Sequence, residues 1–198
     1  MPRPKTVSDA DIAAGLGRVI GKHGPAKFTL LLLAKEVGLA PATLVQRFGS
    51  KRGLILKAWS SGAGDYRSFA AQLRAKGRPS LAIVKELYLC FADMATSPTA
   101  YLHHLSAYLQ LDLGDATLLR YAVKTGRAND QLVKGLLDEA VLAETLMAGT
   151  DTVALARTLA AISTGSLLTW ATYRQGTPRA WLERDLEFVL RPWVRAGR

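Results

Sequence analysis

Phe28-Thr-Leu-Leu-Leu-Leu-Ala-Lys-Glu-Val-Gly-Leu-Ala-Pro-Ala-Thr-Leu-Val-Gln-Arg-Phe-Gly-Ser-Lys-Arg-Gly-Leu54 reads as two short helices joined by a glycine turn, with a second turn leading into a third helix. Thr29 is placed to cap the first helix through its hydroxyl, and Leu30, Leu33, Ala34 and Val37 follow at helical spacing. Gly38 falls where that helix ends and the chain must take a left-handed conformation. Leu39 is an apolar plug. Ala40-Pro41 opens the next helix, with proline in the first turn, where a missing N–H costs nothing. Leu44 and Phe48, four apart, pack this helix back onto the first, which leaves Pro41, Ala42, Thr43, Gln46 and Arg47 facing out. The layout is that of a DNA-binding helix-turn-helix, whose second helix enters the major groove.

Around this core the chain reads as helix throughout. Ser8-Asp-Ala-Asp11 is a capped start for a helix that buries Ile12, Leu16, Val19 and Ile20. A fourth helix begins at Ser50 and carries Leu54, Ile55 and Trp59. Ser60-Ser-Gly-Ala-Gly64 is poor in helix propensity, and reads as a domain boundary, as a helix with a soft middle or as a hinge. Gly77-Arg-Pro-Ser80 is a break, followed by helices over 81–95 and from Ser97-Pro98 to about Gly114. Asp115 to Met147 is a long helical stretch. Gly149-Thr-Asp151 ends it and caps a helix running to about Gln175. Gly176-Thr-Pro178 then starts a last helix with Leu182, Leu186, Val189 and Trp193 on one side.

The residues from about 8 to 57 resemble the tetracycline-repressor (TetR) family of transcriptional regulators. In that family an alanine-glycine helix-turn-helix precedes a Thr-Leu-Tyr-x-His-Phe-x-(Ser/Asn)-Lys-(Glu/Arg)-x-Leu string, which here stands as Thr43-Leu-Val-Gln-Arg-Phe-Gly-Ser-Lys-Arg-Gly-Leu54. Gly38 and the preceding Ile12–Leu16 helix match as well. Val45 replaces the usual tyrosine and Arg47 the usual histidine, so no relative's operator carries over. The resemblance implies an all-α protein with two parts: a three-helix DNA-binding domain over 1–57 and a helical ligand-binding and dimerisation domain over 58–198. It also implies a homodimeric, sequence-specific regulator. Repressor is the preferred reading, because a dimer on a promoter blocks polymerase without further contacts. A small-molecule ligand would release it from a palindromic operator through its fourth helix.

Composition agrees. The net charge is +10 and the pI near 10.0, which favours an anionic partner. Residues 1–60 hold ten Lys/Arg against three Asp/Glu, and residues 61–198 hold sixteen against thirteen. The excess therefore lies with the DNA reader. The lone cysteine, Cys90, excludes an internal disulfide, suits a reducing cytoplasm and reads as a buried, inert thiol. Met-Pro-Arg-Pro-Lys has no apolar run behind it and is not a signal peptide. The longest uncharged segment, 158–173, is too short and polar to span a bilayer, so a soluble cytoplasmic protein is expected.

At the DNA, Lys51 and Arg52 in the first turn of the fourth helix, with Lys27 and Thr29 at the second, are candidate phosphate contacts. Arg3 and Lys5 form a basic arm. Base reading falls to Thr43, Gln46 and Arg47, with Ala42 available to a thymine methyl. The resemblance places Pro41 and Val45 on the same face. Tyr88, Phe91, Met94, Tyr101, His104, Tyr108 and Trp170 are candidates for a small-molecule pocket, with a filled core as the alternative. Asp93 and Glu86 could face a cationic ligand or simply form salt bridges. Leu159, Ile162, Ser166 and Trp170 of one helix and Leu182, Leu186, Val189 and Trp193 of the last are either an ordinary core or a dimer interface. The resemblance, and the need of a short recognition helix for a second copy, favour the interface. No histidine, cysteine and carboxylate set has metal-ligand spacing, and no cofactor is implied. No nucleophile–base pair or phosphate loop marks an enzyme. The alternatives are a non-specific, architectural DNA-binding protein and, less favoured, an all-helical enzyme.

Overall fold

Ser8 and Asp11 begin the fold with a reciprocal capping box. The Asp11 N–H donates to the Ser8 hydroxyl at 3.1 Å, and the Ser8 N–H donates to the Asp11 carboxylate at 3.1 Å. Two backbone donors that a helix start leaves open are thereby satisfied. The computed structural model describes residues 7–60, 66–112 and 114–195. The Arg3/Lys5 arm and positions 61–64 of the suspected hinge lie outside them. Among the described residues the regular structure is helical: α1 (Asp9–His23), α2 (Leu30–Val37), α3 (Pro41–Phe48), α4 (Lys51–Ser60), α5 (Tyr66–Ala75), α6 (Ser80–Met94), α7 (Pro98–Ala107), α8 (Ala116–Leu142), α9 (Thr152–Tyr173) and α10 (Pro178–Leu190). An isolated antiparallel bridge pairs Leu146 with Val194.

The chain packs as two compact units. The first comprises residues 1–64 and 99–123, the second 65–98 and 124–198. The sequence suggested a division at residue 57; by packing, α7 and the start of α8 join the N-terminal helices. In the first unit Ile12, Leu16 and Ile20 of α1 meet Phe28, Leu33, Leu44 and Leu54 in one apolar cluster, each at most 1% exposed. In the second, α9 packs on α10, and α6 is covered by α5, α9 and α10.

Three helix ends differ from the sequence reading. The helix from Pro98 does not run unbroken to Gly114: it passes into a π-helical turn over Tyr108–Asp112, a local widening in which each backbone hydrogen bond spans one residue more than in an α-helix. α8 stops at Leu142 because the Ala140 carbonyl accepts both the N–H and the hydroxyl of Thr145, while Glu144 turns left-handed at φ 56°. α10 stops at Leu190, short of Trp193, where Pro192 supplies no N–H to continue it. α9 has the length and mean hydropathy (1.2 over 18 residues) to cross a bilayer, but Leu155, Leu159, Leu167 and Ala171 bury one face inside the second unit, as a core helix does.

Candidate nucleic-acid interface

The helix-turn-helix is built by local chemistry. The Leu32 N–H donates to the Thr29 hydroxyl at 3.2 Å and starts α2. Gly38 closes it with φ 71° and ψ 33°, a left-handed conformation that β-branched or bulky residues rarely adopt. Pro41 opens α3 at its first position. Leu44 is fully buried, which fixes the roll of α3 about its axis. Pro41, Ala42, Val45, Gln46 and Arg47 are exposed, whereas Thr43, read from the sequence as facing out, is half-buried. Lys27 and Thr29 are exposed at the start of α2. Leu31, one turn on, is an exposed apolar residue beside them.

The three cations expected at DNA behave differently. Arg47 does not project from the reading face. Its Nη2 lies 2.6 Å from the Asp9 carboxylate, its Nη1 donates to the Val7 carbonyl at 2.7 Å, and its guanidinium lies 5.7 Å from the Phe48 ring centroid. It ties the end of α3 to the start of α1. Lys51 donates to the Phe28 carbonyl at 2.8 Å and lies over that ring, 4.9 Å from its centroid. It fixes the loop that presents Lys27 and Thr29. Arg52 forms a two-pronged pair with Asp115, at 2.8 and 3.1 Å, and donates to the Thr117 hydroxyl at 3.2 Å. The first turn of α4 is thereby bonded to the first turn of α8. Sequence reasoning missed Asp9, Val7 and Asp115 as partners, because separations of 38 to 63 residues leave no local signal.

Asp115 also caps α8, accepting from the N–H groups of Thr117 and Leu118 at 2.8 and 3.1 Å. The hydrogen bond from Arg52 first, and these two N–H groups after it, hold its carboxyl well below the usual carboxylate range. A depressed folded-state value stabilises the fold above the ordinary value near 3.8 and loses that contribution as pH falls below it. In urea titrations, the stability difference between wild type and Asp115→Asn is therefore expected to hold steady from about pH 7 to about pH 5 and to shrink toward about pH 3. A difference unchanged at about pH 3 would show that the charge on Asp115 contributes nothing.

The residues nominated for a small-molecule pocket divide between the units. Tyr101, His104 and Tyr108 lie in the first. There the His103 ring nitrogen Nδ1 is 2.8 Å from the Gly21 carbonyl oxygen, and burial, then the neighbouring His103, lowers the pKa of His104. In the second unit Tyr88 is buried. Its hydroxyl donates to the Ala156 carbonyl at 3.4 Å, and its ring meets Tyr66 edge-on at 6.2 Å. Phe91 tilts against Tyr66 at 5.6 Å, so Tyr66 is an aromatic centre the sequence reading overlooked. Burial pushes both tyrosine hydroxyls up, which keeps them neutral donors. Met94 is 69% exposed. Cys90 is half-buried with its thiol pushed up chiefly by burial, and donates to the Leu87 carbonyl at 3.0 Å. Glu86 and Asp93 are joined by Arg179 at 3.1 and 2.8 Å, which makes them salt-bridge residues of the α6–α10 contact.

The nominated dimer face needs a correction. Leu159, Ser166, Trp170, Leu182 and Leu186 are each at most 5% exposed within a single chain. They hold α9 and α10 together inside the second unit and cannot meet a partner there. Trp170 also donates its indole N–H to the Gly176 carbonyl at 3.2 Å, closing the α9–α10 turn. Ile162 and Val189 are half-buried, and Trp193 is open to solvent. The outward face of α9 is instead Ala154, Thr158, Ala161, Gly165, Leu168 and Thr172, all exposed, and α10 presents Phe188 at 68% exposure.

Comparison with known proteins meets this geometry at the same residues. The family described as bacterial regulatory proteins, tetR family, matches residues 12–58, from α1 through α4. No curated protein matches the chain. Among solved structures, a TetR transcriptional regulator from Legionella pneumophila is similar with a TM-score of 0.73 at 17% identity, over 98% of this chain and 100% of that one. One from Streptomyces coelicolor aligns with a TM-score of 0.70 at 21% identity, over 96% and 100% of the two chains. Thermus thermophilus FadR, a TetR-family transcriptional repressor in complex with lauroyl-CoA, aligns with a TM-score of 0.60 at 20% identity, over 96% and 97%. At these identities the likeness establishes a shared fold.

Proposed function

We propose, from the premise that residues 12–58 belong to the tetR family of bacterial regulatory proteins, that this DNA-binding transcriptional regulator acts in the cytoplasm as a homodimeric repressor on a palindromic operator. The observation that carries the reading is the α2–Gly38–α3 motif, with a fully buried Leu44 on one side of α3 and an exposed Pro41, Ala42, Val45 and Gln46 on the other. A helix held this rigidly on its inner face can present a fixed set of side chains to a major groove. Lys27 and Thr29 stand at the start of α2 as backbone contacts. Lys51 and Arg52 act by positioning the loop before α2 and the start of α4. Residues up to 57 are the DNA-reading part, and the helices beyond 58 carry effector binding and dimerisation.

The release mechanism is a population shift. A small-molecule effector that prefers the free form over the DNA-bound form draws the dimer off its operator; one with equal affinity for both does nothing. The Arg52–Asp115 pair offers a mechanical route, because a change at the first turn of α8 moves the first turn of α4 with it. The test is selection of duplexes from a random pool by the purified chain. A palindrome preferred by about a thousandfold or more over random duplex is expected. Binding that depends steeply on salt with no preferred sequence would replace the regulator reading with the architectural one. Within the regulator reading, Lys27→Ala is expected to weaken all duplexes alike and to lower the salt slope by about one. A loss confined to the selected palindrome would remove Lys27 from the backbone contacts.

A further inference from the structure

The sole basic residue in α3 is Arg47, at its penultimate position. Arg47 is paired backward with the Asp9 carboxylate at 2.6 Å and donates to the Val7 carbonyl at 2.7 Å, which occupies the guanidinium fork that would otherwise meet a base edge. What remains is one exposed amide, Gln46, the exposed methyl groups of Ala42 and Val45, and a half-buried Thr43 with one methyl and one hydroxyl, which by itself selects no base. Val45 is a branched hydrocarbon left 46% exposed on an eight-residue helix, where a folded chain alone gains nothing from it.

Chemistry then restricts the bases. Guanine is read by arginine or lysine through its O6 and N7 acceptors, and cytosine by a carboxylate that accepts from its amino group; α3 offers neither a free cation nor any acid. Glutamine makes a two-point contact with adenine N6 and N7, and apolar side chains meet the 5-methyl group of thymine. We infer that this regulator reads each operator half-site as adenine and thymine: Gln46 takes an adenine, Val45 with Ala42 takes thymine methyl groups, and Arg47 is a positioning residue that docks α3 on α1. The inference rests on the operator-binding reading and deepens it by naming the bases.

The experiment uses the full chain and the duplex it selects from a random pool. The positions read by α3 are expected to be A·T pairs. Replacing one contacted thymine by uracil removes only its methyl group, and is expected to weaken binding about fourfold, the value of one buried methyl. In Val45→Ala that penalty is expected to fall to near unity at the thymine Val45 meets. Gln46→Ala is expected to relax the preference for its adenine by roughly ten- to a hundredfold. Arg47→Gln is expected to lower affinity for every duplex equally while the selected bases stay the same. A selected palindrome with guanine in the half-site core, whose preference Arg47→Gln abolishes, would overturn the inference and leave the regulator reading standing. Thymine-to-uracil replacements without effect anywhere in the half-site would overturn it too. Enrichment of no sequence at all would remove both.

Discussion

Gly53→Ala is expected to strip the protein of tight operator binding, although the substitution lies on α4 and replaces glycine by the best helix former. Gly53 is the third residue of α4, where its N–H donates to the Ser50 hydroxyl at 3.0 Å. A methyl group on its Cα would overlap the carbonyl oxygen of Phe48, the last residue of the recognition helix. A side-chain neighbour could swing away. A helix-terminal carbonyl cannot, because Gly49 behind it is already committed to φ 74° in a turn that closes α3. Alanine gains about 1 kcal/mol of helix propensity at such a site, while forcing a methyl into occupied space costs about 1–3 kcal/mol. The second term wins, and relaxation must take the form of α3 moving away from α4. In the proposed dimer both copies of the reader would shift, so affinity for the selected operator is expected to fall at least tenfold by fluorescence anisotropy. The melting temperature is expected to fall by a few degrees. Gly17→Ala on α1 is the matched control, since a methyl group there meets no atom within 4 Å; it is expected to raise stability by about 1 kcal/mol without changing binding. Operator affinity at the wild-type level in Gly53→Ala would mean that α3 and α4 are not rigidly coupled.

The contrast between Gly53 and the rest of the motif explains what could be read without coordinates. The caps at Ser8, Thr29 and Asp151 and the left-handed Gly38 each satisfy backbone groups within four residues of themselves, and the first-turn prolines at 41 and 178 remove a donor that the helix start would leave open. Their meaning is contained in the local string, and so the positions of α1 to α3 were legible. Arg47, Lys51 and Arg52 were legible as cations but not as partners, because an exposed string offers them phosphate and a fold offers them Asp9, Phe28 and Asp115. α9 illustrates a different limit. Its residues are apolar or small nearly all the way round, so periodicity does not say which stripe is inward. The sequence reading chose the bulky stripe of Leu159 and Trp170 for a partner, and the fold uses that stripe for α10. The π-helical turn at Tyr108–Asp112 has no glycine or proline to announce it.

Gly165→Arg on α9 is the second substitution with a large expected effect, and it separates the subunit from the dimer. Gly165 lies at the centre of the exposed stripe Ala154, Thr158, Ala161, Gly165, Leu168 and Thr172, and a methyl group built on it meets nothing within 4 Å inside one chain. An arginine there is therefore harmless to the isolated subunit. Small residues at spacings of three and four let a second helix approach closely, and Leu168 on α9 and Phe188 on α10, 40% and 68% exposed, supply apolar area that solvent does not reward. If two copies meet through α9 and α10, an arginine at each Gly165 places two charged side chains in the closest part of the contact. The variant is expected to sediment as a single chain, with the helical content and melting behaviour of a folded subunit. Operator affinity is then expected to fall by about a hundredfold or more, because each head binds its half-site without the effective concentration that a linked partner provides. The base preference of each half-site should survive. A dimeric Gly165→Arg protein with unchanged operator affinity would place the interface on another surface. A variant that unfolds would contradict the open space around Gly165, and Ala161→Glu, on the same stripe one turn earlier, would then decide between the two through its own sedimentation.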